Sequence, residues 1–343
     1  MTPSPLVFTA GYLKGCIMGL VYIGKVINIE SIPNADRIER LDVVTGHGGK
    51  WSGIAVKGQF QTNDPCQVYL QDSIVPVTPE FAFMERHHYR VRMVRLRGVP
   101  SECLIMPQTI PGEIGDDVTD AAGVTKYEKP LPAGIGDIAG HFPSFIPKSD
   151  EPNFQGVPEL VEALRGKTWY ATVKADGMSS TIYYWQDHIG VCSRNYEIKP
   201  SDHGTLWRLA RKYYLDKNLP SGYAIQGEVV GPGIQSNPLG LKEVDFLVFN
   251  IYNITEKRYL DIIDTLAMID NLGLSLVATA RQTNTDGFNL DADRLRNLAE
   301  QQVYPNGKPA EGIVVRPLVE QTVIVDGTLT RLSFKCLNLL YTG

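Results

Sequence analysis

Lys174 begins a short Lys-Ala-Asp-Gly segment whose residue types could carry nucleophilic chemistry. An apolar run, TWYATV, precedes it, and a second run, MSSTIYYW, follows Gly177. A lysine amine attacks phosphorus only when it is unprotonated, although its reference pKa is about 10.4. Burial at a strand end, a neighbouring cation such as Lys335 and a bound metal ion would each disfavour the ammonium form. The segment therefore predicts a nucleophilic lysine in a shielded pocket.

Three carboxylates, on Asp176, Glu228 and Glu311, could supply the negative charge that a metal ion needs. Asp176 follows the lysine by two residues, and each glutamate adjoins an apolar run, in QGEVVG and AEGIVVRP. Mg²⁺ or Mn²⁺ could be held there through the waters that the ion retains. Such an ion would stabilise the charge that develops at a phosphate during transfer. Taken singly, each glutamate could instead be a strand-end carboxylate that faces solvent.

Two cations and one aromatic residue complete the candidate set. Arg194 in SRN and Lys335 in SFK suit phosphate oxygens, which an arginine can bind bidentately. Phe249 lies in VDFLVFNIY, where it could offer a flat face to a base or simply fill the core of an alternating strand.

The order of these segments resembles that of the covalent nucleotidyltransferases, the superfamily of DNA ligases, RNA ligases and mRNA capping enzymes. The resemblance spans roughly residues 140 to 340 and implies that ATP donates AMP to the lysine. It also implies that Arg194 contacts the ribose or a substrate phosphate, that Lys335 contacts the α-phosphate and that Phe249 stacks on adenine. The expected catalytic residues are Lys174, Asp176, Glu228, Glu311 and Lys335. The expected metal ligands are Asp176, Glu228 and Glu311. The expected ATP-binding residues are Lys148, Val173, Lys174, Gly177, Arg194, Glu228, Phe249 and Lys335.

The sequence departs from this superfamily pattern at two positions. In FPSFIPKSDEPNFQ, Lys148 matches a lysine that helps to hold the ATP phosphates, but Asn153 stands where an arginine is expected. The last motif is usually Lys-x-Lys, and here Ser333 takes the place of the first lysine. One cation is therefore missing, unless Arg331 or Arg316 compensates.

Residues 17 to 108 contain short apolar runs separated by turn signals, which predicts a small antiparallel β-barrel or sandwich. The stretches IPNADRIERLDVV and RGVPSECLIMP resemble the OB-fold of the tRNA-binding modules attached to aminoacyl-tRNA synthetases. An OB barrel binds nucleic acid through its face and loops, so this part could bind the substrate. The alternative is a barrel that only supports the next domain.

The remaining chain mixes strand and helix patterns. Gly112 to Gly140 is rich in Gly, Pro, Asp and Ala and is interpreted as a linker, which puts the domains at 1–140 and 141–343. Helices are predicted in VPELVEALR, in TLWRLARKYYLDK with Thr205 as its cap, and in LDIIDTLAMIDNLG, which ends at Gly273. The predicted fold class is α+β: an N-terminal OB-type β-barrel followed by a nucleotidyltransferase domain with antiparallel sheets.

Composition restricts the class of protein further. With 343 residues and a net charge of −5, the chain is not a protein that coats nucleic acid non-specifically. The run RHHYRVRMVRLR, from Arg86 to Arg97, nevertheless holds five arginines and no acid. Interpreted as one strand, it puts Arg86, Arg90 and Arg92 on one face, to bind phosphates or to protect an exposed sheet edge. No apolar run is long enough for a membrane helix, and the scattered cysteines predict neither a disulfide framework nor a zinc site.

The order of the two parts discriminates within the superfamily. DNA ligases and capping enzymes carry an OB domain after the last motif, whereas this barrel precedes the catalytic part, as in the Deinococcus-type RNA ligases that the chain resembles. That resemblance implies an ATP-dependent RNA ligase. Without a membrane segment or a convincing signal peptide, the protein is expected to be cytoplasmic or otherwise intracellular, and it is expected to be a monomer without a protein partner. It would seal nicked duplexes or broken RNA, with RNA at the 3′-hydroxyl side. A GTP-using capping-type guanylyltransferase and a noncatalytic RNA-binding protein are the alternatives.

Overall fold

The structure, a computed structural model, describes residues 19–46, 49–130, 134–282, 290–325 and 327–342. Among these residues no helix is long and apolar enough to cross a membrane. Four of the five cysteines lie in the described ranges and are free and buried; Cys16 lies outside those ranges.

The described residues of the N-terminal part form nine strands. Five of them form an antiparallel sheet in the order β3-β2-β1-β4-β8, and a parallel bridge between Gly53 and Cys103 connects its two ends. Buried and partly exposed residues alternate along β2 because successive side chains point to opposite faces. The sheet therefore curls around an apolar interior that includes Leu41, Val43 and Trp51. The strands are β1 (Val21–Ser31), β2 (Ile38–Thr45), β3 (Lys50–Val56), β4 (Pro65–Tyr69), β5 (Ser73–Ile74), β6 (Val94–Leu96), β7 (Val99–Ser101), β8 (Leu104–Pro107) and β9 (Thr125–Lys126).

The arginine-rich run is not one strand, contrary to the sequence interpretation. Pro79–His87 is a 3₁₀ helix that buries Phe81 and Met84. His88 and Tyr89 both adopt left-handed backbone conformations, with φ of 52° and 58°, and this turns the chain back. Burial of the helix against the barrel outweighs the period-2 pattern, so the run forms a helix end, a turn and the short hairpin β6-β7.

The C-terminal part contains two main sheets. The larger has the order β10-β14-β13-β12-β15-β16-β17, with β18 added parallel to β16, and the smaller has the order β19-β11-β20-β23. The strands are β10 (Ile138–His141), β11 (Trp169–Lys174), β12 (Met178–Trp185), β13 (His188–Ser193), β14 (Tyr196–Ile198), β15 (Tyr223–Val230), β16 (Asp245–Asn253), β17 (Arg258–Tyr259), β18 (Ser275–Leu276), β19 (Thr279–Gln282), β20 (Gly312–Pro317), β21 (Thr322–Val325), β22 (Thr328–Arg331) and β23 (Phe334–Leu337). All other pairs are antiparallel, so the predicted α+β class with antiparallel sheets is confirmed.

Five helices cover the two sheets. They are α1 (Pro158–Leu164), α2 (Thr205–Lys212), α3 (Leu215–Asn218), α4 (Ile262–Asn271) and α5 (Ala292–Glu300). The predicted helix after Thr205 is broken in two, because Tyr214 has a φ of 53°. Thr205 is not its cap, since Gly204 occupies that position and no side chain closes the helix end. Gly273 follows α4 with a φ of 65°, as predicted, whereas α5 was not foreseen from the sequence.

The domain boundary at residue 140 stays a prediction. β10 spans that position and pairs with β14, so the larger sheet already begins at Ile138. The N-terminal part also contacts the rest of the chain through a buried ion pair, in which Arg296 Nη2 lies 2.9 Å from Glu102 Oε1. The two parts therefore share a polar contact as well as a covalent connection.

Candidate active site

A cleft of about 650 Å³ lies between the two main sheets. All of the predicted site residues line it, although they are spread over nearly 190 positions of sequence. They are Lys148, Val173, Lys174, Asp176, Gly177, Arg194, Glu228, Phe249, Glu311 and Lys335. The structure thus brings together in one cavity the residues that the motifs suggested; their roles remain predictions.

Strand pairing places the lysine beside its carboxylate. Lys174 ends β11 opposite Gly312 at the start of β20, so Glu311 lies next to it. Lys174 Nζ donates to Glu311 Oε2 at 2.6 Å. The second sheet brings Glu228, because Ser179 on β12 pairs with Glu228 on β15. Gly177 permits this approach, since a Cβ there would lie 2.2 Å from Val229 O.

The charge state of Lys174 differs from the sequence expectation. Burial lowers the pKa of its ammonium group, but Glu311, Glu228 and Asp176 together outweigh burial and hold the pKa above its ordinary value. The prediction that the surroundings of Lys174 favour its free amine is therefore wrong when only the protein's own groups act on it. The physical reason is that three carboxylates act on the amine while Lys335 is one opposing cation.

Glu228 is the most perturbed carboxyl group of the cleft. Burial, together with the nearby Glu311 and Asp176, raises its pKa to about 8, although Lys174 and Lys129 act in the opposite direction. Glu228 Oε1 also accepts from Gly177 N at 3.1 Å. A carboxyl group that is protonated near neutral pH, beside two other acids, is one that an additional cation would ionise.

The acids of the cleft do not form a ready-made metal cage. Among the residues that the structure describes, no three His, Cys, Asp or Glu side chains could hold an ion together. Asp176, Glu228 and Glu311 nevertheless act on one another electrostatically around Lys174. A magnesium-type site needs only one or two carboxylates, because substrate phosphates and retained water supply the remaining ligands. The donor set therefore fits a divalent ion that arrives with a nucleotide.

Tyr304 holds the two acidic segments together and was missed by sequence reasoning. Its buried hydroxyl donates to Lys174 O at 2.9 Å and accepts from Asp176 N and Glu311 N at 3.0 and 3.1 Å. Tyr341 donates to Asp176 Oδ2 at 2.5 Å. No sequence motif indicates either tyrosine. Tyr304 and Lys174 are 130 positions apart in the sequence, and Tyr341 and Asp176 are 165 positions apart.

Three predicted phosphate-binding cations occupy different parts of the cleft. Burial and the neighbouring Lys174 lower the pKa of Lys335, which still lines the cavity. Lys148 Nζ lies 2.6 Å from Asn195 Oδ1, and Arg194 Nη2 lies 2.8 Å from Asp150 Oδ1. The latter two contacts are exposed and are worth little, so a phosphate could replace them.

The two departures from the motif pattern have separate structural outcomes. Asn153 does not line the cleft; its side chain accepts from Gln155 N and caps a 3₁₀ helix at Phe154–Gly156. Ser333 is buried, and its hydroxyl has no hydrogen-bond partner among the described residues. Neither position supplies a cation.

Of the two arginines that could compensate, only Arg316 is available. Arg331 is committed to Glu320 and to Asn250 and lies 3.7 Å from the centre of the Tyr259 ring. Arg316 lines the cleft, donates Nη2 to Glu151 at 2.9 Å and leaves Nε and Nη1 without hydrogen bonds to the described residues. Of the two arginines, Arg316 is therefore the one whose buried guanidinium could supply the positive charge of the missing lysine.

Nonpolar walls accompany these charges. Phe249 on β16 is partly buried and lines the cleft, as do Val173, Val277 and Val314. Val173 N donates to Ala278 O at 2.7 Å, which fixes the wall on that side. An aromatic face with small aliphatic residues is the kind of surface that holds a flat base.

Residues before the ligand-binding motifs also reach the cleft. Lys129 Nζ lies 3.2 Å from Asp176 Oδ1, and Glu128 accepts from Asn195 Nδ2 at 3.0 Å. Asp72 and Arg90, from the N-terminal part, line the same cavity and form an ion pair at 2.6 Å. Sequence reasoning named Arg90 only as part of the arginine-rich run and missed Lys129, Glu128 and Asp72, because a linker and a barrel loop carry no motif.

Comparison with known proteins agrees with this architecture. An RNA ligase family model matches residues 167–337, and an OB-fold domain model matches residues 20–108. The second match confirms the predicted OB-type barrel. A search of curated protein sequences found no significant match.

Solved structures of a Naegleria gruberi RNA ligase are similar over almost the whole chain. A ligand-free variant has a TM-score of 0.78 at 30% sequence identity, covering 94% of this chain and 97% of that one. A variant solved with ATP and Mn has a TM-score of 0.75 at 29% identity, with 93% and 96% covered. A variant with AMP and Mn has a TM-score of 0.77 at 30% identity and the same coverage. The motifs of this chain meet in one cleft, and an OB-fold module precedes them in the sequence. The chain belongs to the RNA ligase family.

Proposed function

We propose that this protein is an ATP-dependent RNA ligase that joins a 5′-phosphate to a 3′-hydroxyl through an AMP carried on Lys174. The observation that carries the proposal is the position of Lys174 Nζ, 2.6 Å from Glu311 and among Asp176, Glu228 and Lys335 in one cleft. Similarity to RNA ligase structures that contain ATP or AMP with Mn supports the choice of nucleotide and of a divalent ion.

In the first step Lys174 Nζ attacks the α-phosphorus of ATP. A nitrogen–phosphorus bond forms, the bond to the β-phosphate oxygen breaks, and pyrophosphate departs. The amine must lose a proton first, and Glu311 Oε2 is the acceptor in direct contact with it. Phe249 would stack on adenine, while Lys335, Lys148 and Arg316 would offset charge on the phosphates.

Asp176, Glu228 and Glu311 are the residues that would hold the divalent ion. When bound, that ion supplies positive charge that stabilises the developing negative charge on the phosphate oxygens. These three side chains orient the ion and its waters, and Tyr304 fixes the backbone on which two of them stand. The protein's own contribution is therefore mostly positioning.

In the second and third steps AMP moves from the lysine to a 5′-phosphate, and a 3′-hydroxyl then attacks that phosphate and releases AMP. Arg194 is the proposed contact for the ribose or the substrate phosphate, because its exposed pair with Asp150 can be exchanged. We infer nicked duplexes or broken RNA as substrates, with RNA at the 3′-hydroxyl side, and a monomer as the working form.

Covalent labelling tests the proposal most directly. Incubation with ATP labelled on the α-phosphate should attach label to the wild-type protein and not to the Lys174→Ala variant. Lys148→Ala serves as a control, since it retains the nucleophile and should label at a reduced rate. Label that persists in Lys174→Ala would show that another residue carries AMP.

The same assay discriminates the alternative functions. Labelling by GTP instead of ATP would indicate a capping-type guanylyltransferase, and RNA binding without any labelling would indicate a noncatalytic protein. Sealing of nicked duplexes that carry RNA or DNA on each side of the nick then determines which strand must be RNA. Size-exclusion chromatography with light scattering tests whether the protein is a monomer.

A further inference from the structure

The N-terminal OB-fold module carries an exposed pair of arginines, Arg86 and Arg92, that have no acidic partner among the residues that the structure describes. Arg86 closes the 3₁₀ helix at Pro79–His87, and Arg92 follows the turn after it. Neither forms an ion pair with an acidic side chain of the described residues. Glu85, which precedes Arg86 in the sequence, does not pair with it either. Arg90, between them, is different, because Asp72 neutralises it.

His87 lies between the two arginines and cannot satisfy both. Arg86 Nε approaches His87 Nε2 at 3.1 Å, and Arg92 Nη2 approaches His87 Nδ1 at 3.3 Å. A neutral imidazole has only one nitrogen that accepts a hydrogen bond, and a protonated one has none. At least one guanidinium therefore faces an N–H group and retains donors for an external acceptor.

The backbone holds this arrangement in a strained form. His88 and Tyr89 are consecutive non-glycine residues with positive φ, a conformation that residues with a Cβ atom rarely adopt. The turn brings Arg86 and His87 back against Arg92. A fold that keeps two like charges together in this way is better explained by an anionic ligand than by solubility, which scattered charges would provide.

The pair lies close to a residue of the active-site cleft. Arg90 lines the cleft, and the Cα of Arg92 is within about 7 Å of the Cα of Arg90 because only Val91 separates them. Three residues further on, Arg95 Nη2 donates to Leu339 O at 2.7 Å. Leu339 belongs to the same C-terminal segment as Tyr341, which contacts Asp176. A strand of nucleic acid leaving the cleft on this side would pass the pair.

We propose that Arg86 and Arg92, held around His87, form a binding site for the phosphodiester backbone of the polynucleotide substrate. Two guanidiniums with free donors match successive phosphate oxygens, which arginine binds through paired hydrogen bonds. This inference rests on the proposed ligase function, because it concerns the same substrate. It assigns to the OB-fold module the positioning of the nucleic acid, separately from the attachment of AMP.

The test compares binding of a fluorescent nicked RNA duplex by wild-type protein and by the double variant Arg86→Gln/Arg92→Gln, at several salt concentrations. The double variant should bind roughly tenfold more weakly at low salt. The slope of log Kd against log salt should fall by roughly 2, because each lost phosphate contact removes about 0.9. Labelling by ATP should be unchanged, which also shows that the variant is folded.

Two further variants make the test specific. Arg165→Gln/Arg258→Gln removes the same charge from exposed arginines that already pair with Glu162 and Glu256, and should bind like wild type. Arg86→Lys/Arg92→Lys keeps the charge and should retain most of the salt slope.

Equal affinity and salt slope in the Gln double variant and in the paired-arginine control would overturn the inference. So would a Lys double variant whose salt slope is as low as that of the Gln double variant, because a retained charge next to a phosphate should retain the slope. A wild-type protein that takes up no label from ATP would instead contradict the ligase proposal, and the binding comparison would still decide the role of the arginines.

Discussion

At the scale of single residues, the site depends on a side chain that performs no chemistry. Tyr304 makes three hydrogen bonds through one hydroxyl, to the backbone of Lys174, Asp176 and Glu311. Burial of this hydroxyl, with the nearby Glu311, raises the pKa of Tyr304, so that it stays a neutral donor throughout the working range of pH. It is a positioning residue for the nucleophile and for two acids.

Tyr304→Phe should slow the labelling of Lys174 by ATP while leaving the ring packed. The substitution leaves two buried N–H groups and one carbonyl without a partner, which costs on the order of 1–3 kcal/mol. We expect a rate reduction of roughly tenfold or more, because small displacements at a reacting atom are costly. Single-turnover labelling at saturating ATP measures it, and unfolding in urea measures the stability.

Tyr341→Phe is the matched control for that substitution. It removes one contact, to the side chain of Asp176, and leaves the lysine backbone fixed. Its effect on the labelling rate should be smaller. If Tyr304→Phe labels at the wild-type rate, the hydroxyl does not position the nucleophile.

At the scale of elements, a buried ion cluster attaches the segment before α1 to the smaller sheet. Glu151 accepts from Arg316 on β20 at 2.9 Å and lies 3.6 Å from Arg331 at the end of β22. Burial alone would raise the pKa of this carboxyl, but Arg316 and Arg331 outweigh burial and hold the pKa below its ordinary value. The segment that carries Lys148 is thereby fixed to the wall of the cleft.

Glu151→Gln should lower stability at neutral pH and lose this effect in acid. The folded-state pKa of Glu151 is below the unfolded value, so its ionisation stabilises the fold above the unfolded pKa, about 4.3, and that stabilisation is lost as the pH falls through the folded pKa. The gap in unfolding free energy between wild type and variant should therefore narrow below pH of about 4. Urea unfolding across pH measures it.

Glu162→Gln, which removes an exposed partner of Arg165, should show almost no gap at any pH. A gap for Glu151→Gln that stays constant from neutral to acidic pH would mean that ionisation of this carboxyl does not stabilise the fold.

At the scale of the whole molecule, one buried ion pair joins the OB-fold module to the ligase domain. Glu102, only 5% exposed, receives Arg296 of α5 through both carboxylate oxygens, at 2.9 and 3.1 Å. Gln155 adds a hydrogen bond to Lys50 O at 2.7 Å. The module is thus attached near β23, the strand that carries Lys335.

Arg296→Met should destabilise the protein by about 3 kcal/mol, because it leaves the Glu102 carboxylate buried without a counter-charge. Thermal unfolding measures the loss. The double variant Glu102→Gln/Arg296→Met should recover part of it, since the uncompensated charge is gone. A double variant less stable than Arg296→Met would show that the unpaired carboxylate is not the cause of the loss, and that Glu102 stabilises the contact through its other partners, Ser52 N and Gln155.

The residues that carry the proposed chemistry could be predicted from sequence, because they are short motifs in a fixed order. Lys174, Glu228, Glu311 and Lys335 each lie at or beside a strand, and strand periodicity was enough to locate those strands. The α+β class and a small antiparallel barrel or sandwich followed from the same periodicity, whereas the OB type followed from the resemblance of two stretches to the modules attached to aminoacyl-tRNA synthetases. The arginine run and the cap at Thr205 were predicted wrongly, because local pattern cannot weigh burial against a neighbouring element.

The sequence by itself determined which residue types are present for adenylyl transfer and that antiparallel strands would display them. The tertiary structure alone decided the contacts of Tyr304, Tyr341 and Lys129, the protonated state of Lys174 and the meeting of Arg86 with Arg92 at His87. The physical reason is that hydrogen bonds and charge interactions act over a few ångströms of space. Chain separations as large as 165 residues leave no local signature of such proximity.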